Sequence, residues 1–452
     1  MKGSEESTVT TDTCHLVWIA ATSWDGVPGT DRAMAEQMTR YARVLWVDPP
    51  VSAVTPARRR GDIGGGILPS LSPAGDGITR LTPVALPGLT RPGVRATTAP
   101  LLRAQIRWAL RRLRVRPAAV VACYLEDVLG RWDGAVSVAY ITDDHVAGAG
   151  LMGLSAGRLR AQERQVAARA DVVAVVSPQL AGHWSALGAD PVLIPNGCRP
   201  GAAGEVAPAP GAAGLPRPVA GLVGQLTERI SLPLLGAAAD AGFSLLLVGP
   251  YDRRWEPQGF ATLIARPNVH YAGRVPASEV PSYLAAMDVG LTPYADTPFN
   301  QASFPLKTLE YLSAGLPVVS TDLPGARWLR DDLARSDPAA GPQLMALTSD
   351  EAGFVAALRR LTTGPRAAAP PAAPAAAKAG RARAAAAGTG RPKAGRASAG
   401  SASAADRRAA RAASARAFAA RHTWERRAEA LAAAIGLGAP QPSVHGEAQV
   451  RA

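Results

Sequence analysis

Cysteine is scarce in this chain: three residues in 452, Cys14, Cys123 and Cys198, widely separated and odd in number. No CxxC pair and no histidine at ligand spacing accompanies them, which argues against a zinc site or a disulfide framework. No apolar run approaches the roughly 18 residues that a membrane-crossing helix needs. The opening "MKGSEESTVTTDTCHLVW" also lacks an apolar stretch of signal-peptide length, so the expectation is a cytoplasmic protein. Aromatic residues are few, at 5%, but 47% hydrophobic content suffices for the cores of two or three domains.

Acidic charge is missing from one region only. The formal net charge is +13, yet Thr362 to Ala452 hold 15 Lys and Arg against 4 Asp and Glu, leaving 34 against 32 in the first 361 residues. The body is nearly neutral. A nucleic-acid-associated protein acting through a basic tail is therefore one alternative, and the folded body gives it no support.

What is present is alternation. "CHLVWIA" (14–20), "RVLWVDPP" (43–50), "AAVVACYL" (118–125), "AVSVAYIT" (135–142), "ADVVAVVS" (170–177) and "DPVLIPNG" (190–197) read as buried strands with helical patterns between them. After a Gly, Ala and Pro loop the pattern restarts with "PVAGLVG" (218–224), "FSLLLVGP" (243–250), "NVHYAG" (268–273), "VGLTPY" (289–294) and "LPVVSTD" (316–322). Continuous apolar strands alternating with helices predict parallel sheets covered on both faces. Two such units predict an α/β fold of two Rossmann-like doubly wound domains, with ligands at the carboxyl ends of the strands.

The boundaries follow from composition. Residues 14–198 form the first domain, 199–217 a linker and 218–363 the second domain. Residues 364–405, almost without large apolar side chains, read as a disordered low-complexity insertion. Helical pattern returns over 406–436, where Trp424, Ala428, Leu431 and Ala432 share a face, and 437–452 reads as a disordered tail.

Four segments, taken in order, resemble the GT-B glycosyltransferases, family 4 with its teichuronic-acid-biosynthesis-type members. They are "ADVVAVVSPQLAGHWSALGADPVLIPNG", "GLVGQLTERISLPLL", "RPNVHYAGRVPASEVPSYLAAMDVGLTPY" and "SFPLKTLEYLSAGLPVVSTDLPG". "RHTWERRAEAL" is similar to the family's final helix, which crosses back onto the first domain. The resemblance spans roughly residues 14–361. It implies transfer of a hexosyl-type sugar, with retention, from a nucleotide diphosphate donor to a saccharide or lipid-linked acceptor, in cell-envelope or exopolysaccharide biosynthesis. It implies neither cofactor nor metal. A sugar-nucleotide epimerase of the same fold is the second enzymatic reading.

Residue types fit these roles locally. Pro305 suits a helix start and Gly315 the left-handed position after its end. First-turn amides and the dipole attract an anion, and Lys307 adds a full charge. Glu310 would repel a phosphate; the resemblance gives it ribose hydroxyls instead. The plain alternative is an i,i+3 ion pair. The family's E-x7-E pair is incomplete, because Ala302 stands where its first glutamate is expected. Arg229, in the loop after the strand at 218–224, suits a bidentate diphosphate clamp, the alternative being a solvated loop arginine. The resemblance adds Gly224, Gln225, Val275 and Tyr294 as donor contacts. "TDDH" brings Asp143, Asp144 and His145 to a strand's carboxyl end, as catalytic groups or as a turn-forming cap. Trp24, Gly26 and Gly29 border the expected acceptor side. "GAGLMG" (148–153) matches G-x-G-x-x-G but begins six residues past its strand, outside dinucleotide-binding context. Finally, "LLRAQIRWALRRLRVR" (101–116) predicts a helix whose Arg103, Arg107, Arg111 and Arg114 stripe is either a solvated face or a contact with anionic membrane on the inner face of the plasma membrane.

Overall fold

The computed structural model describes residues 14–52, 68–88, 91–201, 206–363 and 403–440. The expected insertion falls outside the described residues except at its edge, as do most of the expected tail and residues 202–205 of the expected linker.

The first sheet holds β1 (His15–Ile19), β2 (Arg43–Val47), β4 (Ser70–Gly75), β5 (Ile78–Thr82), β7 (Ala119–Ala122), β8 (Val136–Ile141), β9 (Val172–Val175) and β10 (Pro191–Leu193), in the order β10-β9-β8-β7-β1-β2-β5-β4. Every neighbouring pair is parallel except β4 against β5. Two short strands, β3 (Val51–Ser52) and β6 (Val84–Ala85), pair beyond its carboxyl edge. The second sheet is wholly parallel: β11 (Val219–Val223), β12 (Ser244–Val248), β13 (Val269–Gly273), β14 (Val289–Thr292), β15 (Val318–Thr321) and β16 (Met345–Thr348), in the order β13-β12-β11-β14-β15-β16. Strands β1, β2, β7, β8, β11, β12, β14 and β15 are buried almost throughout, as double-sided helix cover demands. In each sheet the strand order reverses at its first strand, and the crevice outside the carboxyl ends there is where such sheets take ligands.

One departure from the sequence reading has a plain cause. The helix expected at 101–116 runs over Pro92–Leu113 with Pro100 inside it, which interrupts the apolar period. The helices expected over 406–436 are Ala404–Ala419 and Trp424–Ala434. At the break, Cys198 N–H donates to His422 O (2.8 Å) and Trp424 N–H donates to Cys198 O (3.2 Å). The segment leaving the first half thus runs beside the segment returning to it.

The return follows the expected path. Trp424, Ala428, Leu431 and Ala432 are all buried, and this last helix packs on Thr30–Met38 of the first half. Arg40 and Glu425 pair across that contact at 3.7 Å. The preceding helix packs on Leu306–Ser313 of the second half.

Candidate functional site

The helix Leu306–Ser313 buries Thr308, Leu309, Tyr311 and Leu312, leaving Lys307 and Glu310 partly exposed. Pro305 sits at its N-cap, and Gly315 takes φ +84° just past its end. The left-handed glycine also makes room: a Cβ there would lie 2.5 Å from Arg416 Nη1. Lys307 Nζ donates to Glu310 Oε2 at 2.6 Å. Burial opposes the lysine's charge, but Glu310 outweighs it and holds the ammonium above its ordinary pKa. Lys307 passes close to Gly224, where a Cβ would stand 3.9 Å from its Cε.

Arg229 is held in a fitted seat. Its Nε donates to Asn300 Oδ1 (3.0 Å) and its Nη2 to Ser303 Oγ (3.2 Å). Its guanidinium carbon lies 4.8 Å from the centre of the Phe299 ring and 5.6 Å from that of Tyr294. Asn300 is 2% exposed and donates in turn to Arg229 O and Ala295 O. Among the described residues every hydrogen-bond partner of this guanidinium is neutral, so its charge is left for something else. The Tyr294 phenol is pushed up by burial, against the pull of Arg229 and Lys307. Arg229, Tyr294, Lys307, Glu310 and Gly224 therefore share one neighbourhood; Gln225 is exposed beside it. Val275 is half-buried against the hydrophobic core.

Across from Arg229 stands the end of β8. Burial raises the Asp143 carboxyl, and the charge of Arg229 pulls it back down. Thr142 Oγ1 donates to Asp143 Oδ2 (3.1 Å). Asp144 does turn work: its Oδ1 accepts Ala147 N–H at 2.8 Å. His145 is held below its usual range by burial, and its Nδ1 is buried without a partner. The first loop contributes less openly than expected. Trp24 is 9% exposed, its N–H donates to Asp48 Oδ1 (2.9 Å), and Arg32 covers its ring at 4.2 Å. Gly26 closes a turn onto Ser23 O, and Gly29 precedes the helix Thr30–Met38.

Several participants were not singled out by sequence. Asn300, Ser303 and Phe299 lie just before the quoted helix but match no chemical spacing. Asp31 is buried, accepts from Thr22 and Arg32, and is raised by that burial. Ala302 buries its methyl, and its carbonyl accepts Ser177 Oγ (2.5 Å) from the first half. The expected arginine stripe divides. Arg103 is turned to Asp127 (3.0 Å), while Arg107 lies over Trp132 (5.2 Å) and Arg111 and Arg114 are exposed. The exposed pair lies toward the amino edge of the sheet, since Ala118 N–H already reaches His15 O at the start of β1. Among the described residues no group of three or more His, Cys, Asp and Glu could hold a metal ion, and no helix is long and apolar enough to cross a membrane.

Comparison with known proteins agrees with this fold. Residues 222–363 match the family described as Glycosyl transferases group 1. The chain is 39% identical over 108 residues to TuaH of Bacillus subtilis (strain 168), provisionally named a teichuronic acid biosynthesis glycosyltransferase. That match spans 24% of this chain and 27% of the relative. The structure is similar to sucrose-phosphate synthase from Thermosynechococcus elongatus, with TM-score 0.63 and 16% identity over 93% of this chain and 98% of that one. It is also similar to Anabaena Alr3699/HepE in complex with UDP and glucose, with TM-score 0.55 and 14% identity over 94% and 99% of the two chains.

Proposed function

From a chain with the GT-B fold, whose residues 222–363 carry a glycosyl transferases group 1 domain, we propose a glycosyltransferase that moves a sugar from a nucleotide diphosphate donor to a saccharide or lipid-linked acceptor. The reading rests above all on Arg229. Four neutral or aromatic groups fix this arginine, and its charge meets no carboxylate within hydrogen-bond reach among the described residues. A cation oriented in advance, in a site of low polarity, is what a departing diphosphate requires. Lys307 supplies a second charge, and Glu310 accepts hydrogen bonds from the ribose. Gly224 leaves the backbone open to the phosphates, and Gln225, Val275 and Tyr294 border the donor.

On the other side Asp143, with His145 beside it, orients the attacking hydroxyl, while Asp144 shapes the turn that carries them. Gly26 and Gly29 edge the acceptor path. The reaction retains configuration and belongs to cell-envelope or exopolysaccharide synthesis, in keeping with what the Bacillus relative is named for. The experiment is direct. Nucleotide diphosphate sugars are screened by thermal shift, since a ligand of the native state raises its melting temperature. The stabilising donor is then incubated with and without acceptor. Product that needs the acceptor supports transfer; conversion of donor alone would make the chain an epimerase.

A further inference from the structure

Nine large apolar side chains are exposed among the described residues. Six of them, Val27, Leu68, Leu86, Leu151, Met152 and Leu154, stand on loops at one edge of one sheet. Val27 follows β1, and Leu151, Met152 and Leu154 follow β8, both at carboxyl ends. Leu68 leads into β4, whose Ser70 pairs with Thr82 at the carboxyl end of β5. Leu86 follows β6, which lies beyond the same edge. The strands concerned, from β8 to β4, are neighbours in one sheet, so the tips spread over about 24 Å at the usual strand spacing.

The aliphatic tips themselves carry no charge, while Asp25, its side chain 45% exposed, stands two residues from Val27 and Arg58, Arg59 and Arg60 precede Leu68 in the sequence. Gly26–Thr30, Leu68–Gly75, Pro83–Gly88 and Val146–Gly157 contain no Asp, Glu, Lys or Arg, in a chain that is 19% charged. The rim continues into the candidate site. Gly148, at the root of the β8 loop, is packed so closely on Phe299 that a Cβ would lie 2.9 Å from its ring, and that ring flanks Arg229.

We propose that this rim docks on a bilayer surface, the aliphatic tips entering the interface so that the cleft opens toward the lipid. Aliphatic side chains on separate, uncharged loop tips suit shallow insertion, whose strength grows with the apolar area buried. One flexible ligand tail would instead favour a single continuous groove. The docking rests on the fold and on this exposure pattern, so its test is independent of any transfer reaction. It also places the contact on a different edge from Arg111 and Arg114.

The full chain is sedimented with vesicles of phosphatidylcholine alone and of phosphatidylcholine with phosphatidylglycerol. Binding to both is expected. The combined Leu151→Ser, Met152→Ser, Leu154→Ser variant should lose about tenfold or more in partition to each. Arg107→Gln, Arg111→Gln, Arg114→Gln should leave binding to the neutral vesicles unchanged. As a check independent of the triple variant's folding, Met152→Trp should add a component to the emission that shifts to the blue with vesicles. The proposal fails if neutral vesicles do not bind, if the serine variant sediments like the parent, or if only the arginine variant is lost. It fails equally if Met152→Trp responds to monomeric dodecyl phosphate and not to vesicles, which would assign the rim to an acceptor's hydrocarbon chain.

Discussion

Glu310 and Lys307 form an ion pair at 2.6 Å, so changing either leaves the other without this partner. The pair is about a third exposed, and its loss should cost stability less than about 1 kcal/mol. Donor affinity is the sensitive quantity. Glu310→Gln, read by calorimetry, should weaken donor binding about tenfold with little change in melting temperature, because hydrogen bonds to a charged acceptor are the stronger kind. An unchanged affinity would remove Glu310 from the site. Arg229→Ala should instead lower turnover, by about a hundredfold, more than it lowers affinity, since a fixed charge counts most as the diphosphate leaves.

Asp143 adds a pH test at the same scale. Burial raises its carboxyl, so ionisation is completed at higher pH than for an ordinary carboxylate, and Arg229 opposes that rise. If ionised Asp143 receives or orients the hydroxyl proton, kcat/KM should fall on the acid side through this raised pKa. In Arg229→Gln the acid limb should move to still higher pH; a limb that stays in place would separate the two residues.

At the scale of elements, the helix Leu306–Ser313 depends on its ending. Gly315→Ala would put a side chain at φ +84° and against Arg416 and Ala412. A loss of about 1–3 kcal/mol in urea unfolding is expected from the backbone strain, with the clash added to it. The elements that sequence displayed best are those whose burial is uninterrupted, such as β1, β8 and β12. Those it concealed carry exceptions. In β5 the buried Arg80 breaks the apolar run, and it is accommodated because Asp48 accepts from its Nε at 2.6 Å. Strand β16 has four residues between two helices, too few to show a period. Of the candidate site, Arg229, Lys307 and Glu310 were legible by residue type and position. Asn300 and Asp31 were not, because a buried polar residue is recognised only by the partners that the fold brings to it.

For the whole molecule the decisive contacts lie beyond the low-complexity insertion. Arg411 reaches back to Leu361 O at 2.5 Å, so the end of the helix that closes at Thr363 lies near the middle of the one beginning at Ala404. Replacing residues 364–402 by about ten Gly and Ser residues should leave melting temperature and donor turnover nearly unchanged, because closure cost varies only logarithmically with loop length. Truncation at Arg421 should abolish activity, since it removes the buried face of Trp424, Ala428, Leu431 and Ala432. Unfolding by the first change, or silence of the second, would displace the last helix from its role.

The pairing of Cys198 with His422 and Trp424 has a mechanical consequence. A body tethered by one strand swivels freely, whereas one tethered by two strands lying side by side folds along a single axis, as a door leaf does on two pins. Twisting of the halves about this point is thereby restrained more than a single connection would restrain it. The tethers are also redundant against breakage. A protease cut within 199–217 would sever one of them, and the returning helix would still hold the halves together in native gel filtration.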